Sequence, residues 1–390
     1  MNKKLLYSSI AIVTLLKLWL ASHTFGSNDI FYWRTFMFTL ADNDIVSIYR
    51  LIGIYNHPPF MSVFLLFLHK ILGGHQDYFP LLIRIPAIMA DIGNSLVVFA
   101  LAKEFMTEKK AVLSGILVAV SPVLIMVSGF HGNTDPIFIC IILLSVYVLM
   151  VKKNSMLAGL IFGCAFSIKI VPLICVPLFF FFCQNWKSRL LFFSTLLIPL
   201  LLGFAYNILK DASGIINNVF LYKSIYSNWG FSKLLVQMLP MESLDRVLKI
   251  YILLFITASS YLLARQAQQA DNSEKIRLAT INVGITFLIF LALTPGFGVQ
   301  YLSWLAPTGI FLGIELYALY SVIAGTFLFS VYTYWSGGLP WDYADSLTRG
   351  TWRGFSEMMD IILWLFLCIW LIILFIKIIK PFVKEEISLI

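Results

Sequence analysis

Residues 26–34 read Gly-Ser-Asn-Asp-Ile-Phe-Tyr-Trp-Arg, directly after an apolar run. In a helix, Asp29 and Trp33 share a face at i, i+4. A carboxylate just outside a membrane segment, among aromatic rings, can act as a general base on a sugar hydroxyl while the rings stack on the sugar. Asp29 can equally do no more than cap a short interfacial helix. Downstream lie Asp42-Asn43-Asp44 and Tyr55-Asn56-His57-Pro58-Pro59-Phe60. The DxD of Asp42 and Asp44 is a pattern that binds divalent cations, or simply two solvated carboxylates. The two prolines impose an extended entry into the next helix. His57 is either a polar residue at that turn or a group that meets a phosphate at the membrane surface.

Further polar residues interrupt the apolar segments. Arg84 and Asp91 stand two turns apart on one helix. An ionisable residue at the depth of Asp91 is costly unless paired or facing a cavity, so it marks either function or a bond to a neighbouring helix or to Arg84. In Ser128-Gly-Phe-His-Gly-Asn-Thr-Asp-Pro136, Asp135 before Pro136 fits a helix N-cap, which leaves His131 and Asn133 unexplained. Lys169 ends another apolar run, where it can pair with an anionic headgroup or phosphate, or snorkel to the interface. Residues 209–245 carry Lys210, Lys223 and Lys233 around Tyr222, Tyr226, Trp229, Gly230 and Phe231, a mixture suited to a headgroup surface or a lipid-linked anion.

There is no GxxxxGK[ST], no HExxH and no CxxC. The five cysteines are odd in number and lie in or beside apolar runs, as small buried hydrophobes do. No metal site and no cofactor are expected, and a sugar donor would have to arrive through the membrane because no large soluble nucleotide-sugar domain is present.

The elements that must position these residues are membrane helices. Of 390 residues, 60% are hydrophobic and 12% charged, against about 25% charged in soluble domains. An all-α polytopic membrane protein of one domain, 1–390, is predicted, with about twelve transmembrane helices near 5–22, 81–102, 111–128, 136–151, 155–169, 172–185, 189–208, 247–264, 278–293, 301–316, 318–332 and 359–377. Met1-Asn2-Lys3-Lys4 before the first run imitates a signal peptide, but no convincing cleavage site follows, and a retained helix is expected. In such a chain the net charge of +8 bears on sidedness and lipid contact, not on nucleic acid.

Residues 59–72 decide the topology, being apolar but short enough to lie in the interface. On that reading 15 Lys and Arg fall inside against seven carboxylates, while the outer side, helix ends included, carries 12 basic and 13 acidic residues spread over much longer loops. The positive-inside rule favours it. Both termini are then cytoplasmic, and 23–80, 129–135, 209–245, 294–300 and 333–358 are outside.

The order of these motifs resembles the GT-C superfamily of membrane glycosyltransferases, and within it the glucosyl- and mannosyltransferases that use polyprenyl- or dolichyl-phosphate sugars. The resemblance covers roughly 25–185 and is carried by Asp29 with Trp33, His57-Pro58-Pro59, Arg84…Ala90-Asp91, Ser121-Pro122, Gly129-Phe130-His131-Gly132-Asn133 and Ile168-Lys169. It implies a GT-C-like fold with interfacial helices in the first outer loop, a shared module at 1–185 with its catalytic loop at 23–80, and a variable module at 186–390. It implies that Asp29 is the catalytic base, that the helix after Pro58-Pro59 helps form a lateral donor entrance, and that His131 and Lys169 lie near the donor phosphate. Trp33, His57, Arg84, Asp91, Asn133, Asp135 and Lys233 complete the expected substrate-binding set.

The reaction implied is an inverting single displacement that moves mannose or glucose from a polyprenyl-phosphate to a lipid-linked or cell-envelope acceptor, on the non-cytoplasmic side. The chain departs from the eukaryotic members at His131–Asn133, where they carry a second aromatic or amide, and at Ile170, where they carry glutamine; both bear on substrate identity more than on reaction class. A bacterial plasma membrane is expected, with the endoplasmic reticulum as the alternative. The rival readings are a transporter or flippase of a lipid-linked sugar and a non-enzymatic assembly factor. The transporter gives no reason for the long polar loop and in-plane helix that follow the first span, and the assembly factor would tolerate Asp29→Asn without losing function.

Overall fold

A computed structural model describes residues 2–222, 228–236, 238, 240–346 and 351–387. Lys223 and Tyr226, named above with the basic outer loop, lie outside the described residues.

Helix α1, Lys3–His23, starts on the Asn2 side chain, which accepts from the Lys4 amide, and stops where Thr24 turns extended. Residues Gly26–Ser27 pair in parallel with Tyr343–Ala344, tying the segment after α1 to one more than 300 residues further along the chain. Helix α2 runs Asn28–Asp42, followed by the single turn α3, Ile48–Leu51. Helix α4, Pro59–Leu72, begins after the Pro58-Pro59 pair and ends on Gly73, which takes the left-handed conformation at φ 52°. Its inner face is Met61, Leu65, Leu68 and Leu72, while Phe60, Val63, Phe67 and Ile71 are exposed at the same helical spacing. Fourteen residues rise only about 21 Å, too short for a hydrocarbon layer of about 30 Å.

Helix α5, Phe79–Lys103, carries Arg84 and Asp91 and returns beside α1. Then come α6, Glu108–Ala119, and α7, Pro122–Met126, which runs into a π-turn at Val127–His131. Helices α8, Asp135–Met150, and α9, Ser155–Ile168, form a short hairpin. Helix α10, Val176–Phe182, and the long α11, Trp186–Ile215, follow. A Cβ on Gly159 or Gly163 would come within 2.1 Å of the Phe192 carbonyl oxygen or 2.5 Å of that of Leu196. These two glycines, four apart on α9, therefore let its backbone lie against α11, the close approach small residues permit between membrane helices.

The second half holds α12, Gly230–Leu235, α13, Met241–Gln268, and α14, Asn272–Leu293, the last buried on nearly every side. Next come α15, Leu302–Thr308, α16, Ile314–Trp335, and α17, Phe355–Ile387.

The chain is an all-α multi-pass membrane protein, with one two-residue strand pair among the described residues. Among those residues eight helices have the length and apolar character to cross a bilayer: Lys3–His23, Gln76–Lys103, Glu108–His131, Trp186–Phe220, Ser243–Gln268, Asn272–Leu293, Ile314–Trp335 and Phe355–Ile378. Pro59–Leu72, Asp135–Met150, Ser155–Ile168 and Val171–Phe182 are shorter apolar helices; the last three, with the span expected at 301–316, are the four of the twelve expected spans that fall short of full length. The span expected at 301–316 is a broken, buried segment: a 3-10 turn at Val299–Tyr301, α15, a second 3-10 turn at Gly309–Leu312, and a break at Gly313. Pro307 inside α15 and φ 136° at Gly313 interrupt the helix.

Lys3 and Glu108 form an ion pair at 3.3 Å, so the α5–α6 loop shares an end with the N-terminus. Ser273 donates to the Glu104 carbonyl at 2.8 Å, and Gln266 to that of Ile378 at 3.3 Å, bringing the α13–α14 loop and the end of α17 to that same end. Residues 59–72 are therefore not a lone extra crossing.

Arg84 fastens the other end of α1. Its guanidinium is fully buried and donates through Nη1 to the carbonyls of Ala21 and Thr24, at 3.0 Å each, and through Nη2 to that of Phe25. These carbonyls terminate the helix and would otherwise lack partners. Gly26 has φ 110°, and a Cβ there would lie 1.8 Å from Arg84 Nη2 and 2.6 Å from the Phe130 carbonyl oxygen. Gly26→Ala is expected to cost at least about 1–3 kcal/mol in backbone strain alone, read as a lower melting temperature in detergent; unchanged melting would contradict this packing.

Candidate active site

The site is built on the first turn of α2. Ser27 is the N-cap: its Oγ accepts from the Asp29 amide at 3.1 Å and donates to the His131 carbonyl at 2.8 Å. One hydroxyl thus starts the helix and binds it to the π-turn. Because Ser27 supplies the cap, the Asp29 carboxylate is released from the capping role that its position also allowed. Its Oδ2 accepts from Asn133 Nδ2 at 2.7 Å and from His131 Nε2 at 3.1 Å. A carboxylate only accepts, so the His131 proton resides on Nε2. Oδ1 receives no hydrogen bond from the described residues, and the side chain is 25% exposed. Burial raises the Asp29 pKa, but the His131 charge, the His131 and Asn133 hydrogen bonds and the Lys169 charge outweigh it and hold the carboxyl at about 2.

The π-turn is closed by the Gly132 amide donating to the Val127 carbonyl at 3.0 Å, with Gly132 at φ 82°. Such turns concentrate at functional sites because the extra residue re-aims the side chains that follow. Here it delivers His131, whose ring stacks on Tyr332 of α16 at 5.5 Å. Asn133 faces both ways: its amide nitrogen holds Asp29, and its Oδ1 accepts from the Asp135 amide at 3.1 Å.

Asp135 is not the N-cap expected from Asp-Pro. The cap position is Thr134, the first amide is satisfied by Asn133, and Asp135 is the first helical residue. Its carboxylate is completely buried and takes two donors from distant elements: Lys169 Nζ at 2.6 Å and Trp304 Nε1 at 2.7 Å. Lys169, at the end of α9, lies 5.4 Å from the Tyr301 ring centre and 5.9 Å from that of Trp304, within cation–π range. Three elements (α8, α9 and the broken 299–312 segment) meet at this pair. Helices α8 and α9, of 16 and 14 residues, rise about 24 and 21 Å, short of a full-length span.

His57 closes the site from the α4 side. Its ring packs on Trp33 at 4.1 Å, with Tyr55 at 5.6 Å. Burial, then the Lys169 charge, lower its pKa against a smaller opposing pull from Asp29, leaving it at about 3 and the imidazole neutral. Trp33 is buried behind His57 and shapes the wall instead of presenting an open face. Tyr222, at the mouth, is within electrostatic reach of Tyr301, Lys169 and Asp29.

Asp29, His131, Asn133, Asp135, Lys169, His57 and Trp33 are therefore brought together. Arg84 and Asp91 are not, nor do they pair with each other. Arg84 clamps the end of α1, and Asp91 accepts from Lys17 at 2.6 Å and Ser128 at 2.5 Å. Lys233 joins a separate cluster, with Asp360 at 3.0 Å and Glu357 at 3.2 Å. Asp44 of the DxD is spent on the amides of Val46 and Ser47 and on the Ser47 hydroxyl. Among the described residues no three His, Cys, Asp or Glu side chains gather where they could hold a metal ion. Tyr301, Trp304 and Tyr332 were not read from the sequence, and nothing in their local pattern distinguishes them from other aromatic residues of apolar helices. Lys17 did carry a signal, a lone lysine within an apolar run.

The sequence model of a family described as dolichyl-phosphate-mannose-protein mannosyltransferase matches residues 56–208. That stretch holds His57, His131, Asn133, Asp135 and Lys169, and it begins after Asp29. GPI mannosyltransferase 1 of Saccharomyces cerevisiae is 25% identical over 103 residues, which are 26% of this chain and 25% of that protein. The aligned part thus spans a quarter of the relative's length. Beside the all-α multi-pass fold, these likenesses indicate a GT-C-type membrane glycosyltransferase domain.

Proposed function

We propose that this protein transfers a hexose, mannose or glucose, from a polyprenyl-phosphate carrier to a hydroxyl of a lipid-linked or envelope acceptor on the non-cytoplasmic side of the membrane. The observation that carries this reading is the Asp29 carboxylate, held at Oδ2 by Asn133 and His131, open at Oδ1, and within electrostatic reach of the Lys169 ammonium. The lysine-bearing end that includes Lys3 is the cytoplasmic one, in accord with the excess of basic residues there. Twelve crossings follow if α8, α9, the 171–182 segment and the 299–312 segment cross as short helices beside the eight long ones.

Oδ1 of Asp29 takes the proton of the acceptor hydroxyl as its oxygen forms a bond to the anomeric carbon. The bond from that carbon to the phosphate oxygen breaks on the opposite face, and the electron pair leaves with the polyprenyl phosphate. One displacement inverts the configuration. Because the Asp29 pKa is low, the proton moves late, as the new bond forms, and not in a prior ionisation. Lys169 spends one of its three N–H groups on Asp135 and keeps two for the leaving phosphate. His57, being neutral, adds no charge. The exposed stripe of α4, Phe60, Val63, Phe67 and Ile71, lies against lipid beside this site and provides the lateral approach for the carrier chain.

The test offers radiolabelled polyprenyl-phosphate mannose and glucose, with a total lipid extract as acceptor, to the purified protein in detergent. Transfer of either sugar supports the reading; movement of intact donor across a vesicle membrane without transfer replaces it with the transporter.

The same site predicts a pH profile. A depressed carboxylate remains ionised, and stabilising, above its unfolded value, and loses that contribution only as pH falls through about 2. Asp29 should therefore impose no acid limb on kcat/KM from about pH 5 upwards. An acid limb that moves when Asp29 is replaced by Glu would contradict the low pKa.

A further inference from the structure

We infer that Lys17, Asp91 and Ser128 form a positioning device that sets the register of the π-turn and so the contact between His131 and Asp29. Asp91 and Lys17 are both nearly fully buried and pair at 2.6 Å between α5 and α1. The same Asp91 oxygen, Oδ2, accepts the Ser128 hydroxyl at 2.5 Å. Ser128 is the second residue of the π-turn and His131 the last.

Separating a buried carboxylate and ammonium from their partners is costly in the low-polarity interior, so this junction has one geometry. The turn is also pressed onto α1 at the same level: a Cβ on Gly129 would sit 3.2 Å from Lys17 Cα. Alternatives to a π-turn are one residue shorter per hydrogen bond and would rotate His131 away from its place. The next fixed point is Ser27, which donates to the His131 carbonyl. The turn is thus held on both sides, by Asp91 through Ser128 and by the α2 cap at His131 itself. Within that span His131 Nε2 reaches Asp29 at 3.1 Å. Neither Lys17 nor Asp91 has a hydrogen bond to Asp29, His131 or Lys169 among the described residues, so their part is to place His131 and not to touch substrate.

Two variants test this. Ser128→Ala removes one hydroxyl and leaves the ion pair whole. Lys17→Met with Asp91→Leu replaces the pair by apolar groups of similar size, which commonly preserves or raises stability. The readouts are melting temperature, the kcat and KM of transfer, and the ring N–H resonance of His131 in protein labelled with 15N-histidine, assigned by its loss in His131→Gln. With the carboxylate contact in place, that proton is shifted downfield.

Both variants are expected to melt near the wild type, lose the shifted resonance, and lower kcat about tenfold to a hundredfold with KM within about twofold. Retention of the resonance and of kcat in both would overturn the inference and reduce the pair to a structural tie. If the double variant does not fold, Ser128→Ala decides alone by the same readouts. The kinetic arm rests on the transferase reading. The resonance does not, so an inactive wild type whose His131 signal still depends on Ser128 would refute the proposed reaction while upholding the positioning device.

Discussion

Replacing Asp29 by Asn is expected to lower sugar transfer by about 10²–10⁴-fold, the range assigned to a positioned general base, while the protein remains folded. The amide keeps the size of the carboxylate and an oxygen able to accept from Asn133, and Ser27 continues to cap α2 because its bond is to the backbone at residue 29. What is lost is the oxygen that takes the acceptor proton. The ionised carboxylate is favoured over its protonated form in the folded state, so removing its charge costs a little stability, which a detergent melt separates from the loss of turnover. Asp29→Glu restores the charge one methylene further out and should recover only part of the rate, since Oδ2 is held at a defined place by two donors. Wild-type turnover in Asp29→Asn, measured with the same donor and acceptor, would remove this residue from the chemistry and leave the His131–Asn133–Asp29 cluster a structural knot.

Asp135→Ala is expected to act first on stability, by about 3–5 kcal/mol, the cost of breaking a buried ion pair on one side. It strands the Lys169 ammonium, which is only 14% exposed, and leaves Trp304 Nε1 without its acceptor. Three elements lose their common anchor, so activity should fall with the fold. Asp135→Asn keeps the volume and the Trp304 acceptor, and is expected to melt between wild type and Asp135→Ala. Lys169→Met does the converse: it strands a fully buried carboxylate and also removes the cation offered to the leaving phosphate, so donor binding should weaken even at temperatures where the variant is folded. If Asp135→Ala melts with the wild type, the pair is not what joins α8, α9 and the 299–312 segment.

Much of the frame was legible in the sequence because it depends on local quantities. Hydropathy over a window reports a membrane helix, and the Pro58-Pro59 pair reports where the short helix 59–72 begins. The expected placement of the N-terminus and the α5–α6 loop at one common end agrees with the Lys3–Glu108 contact. Legibility failed where a helix is broken inside an apolar run: 299–312 is as hydrophobic as a span, and its interruption by Pro307 and Gly313 depends on packing against α14 and α16. It failed also where one residue type serves two ends, as when Asp-Pro implied a cap at Asp135 that the Asn133 side chain in fact supplies.

From the sequence alone came the membrane class, the short apolar helix after Pro58-Pro59, and a short set of polar residues too costly to bury without purpose. Which of them meet was decided only in three dimensions. Asp29 and His131 are 102 residues apart, and Asp135 and Trp304 169 apart. Periodicity states which face of a helix is buried, but partners depend on how each helix is rotated and shifted against the next. Arg84 and Asp91 share one face of α5, yet the first reaches the C-terminal end of α1 and the second a lysine inside it, because α1 crosses both. A buried charge takes whatever partner the packing delivers, and that is a property of the assembled helices.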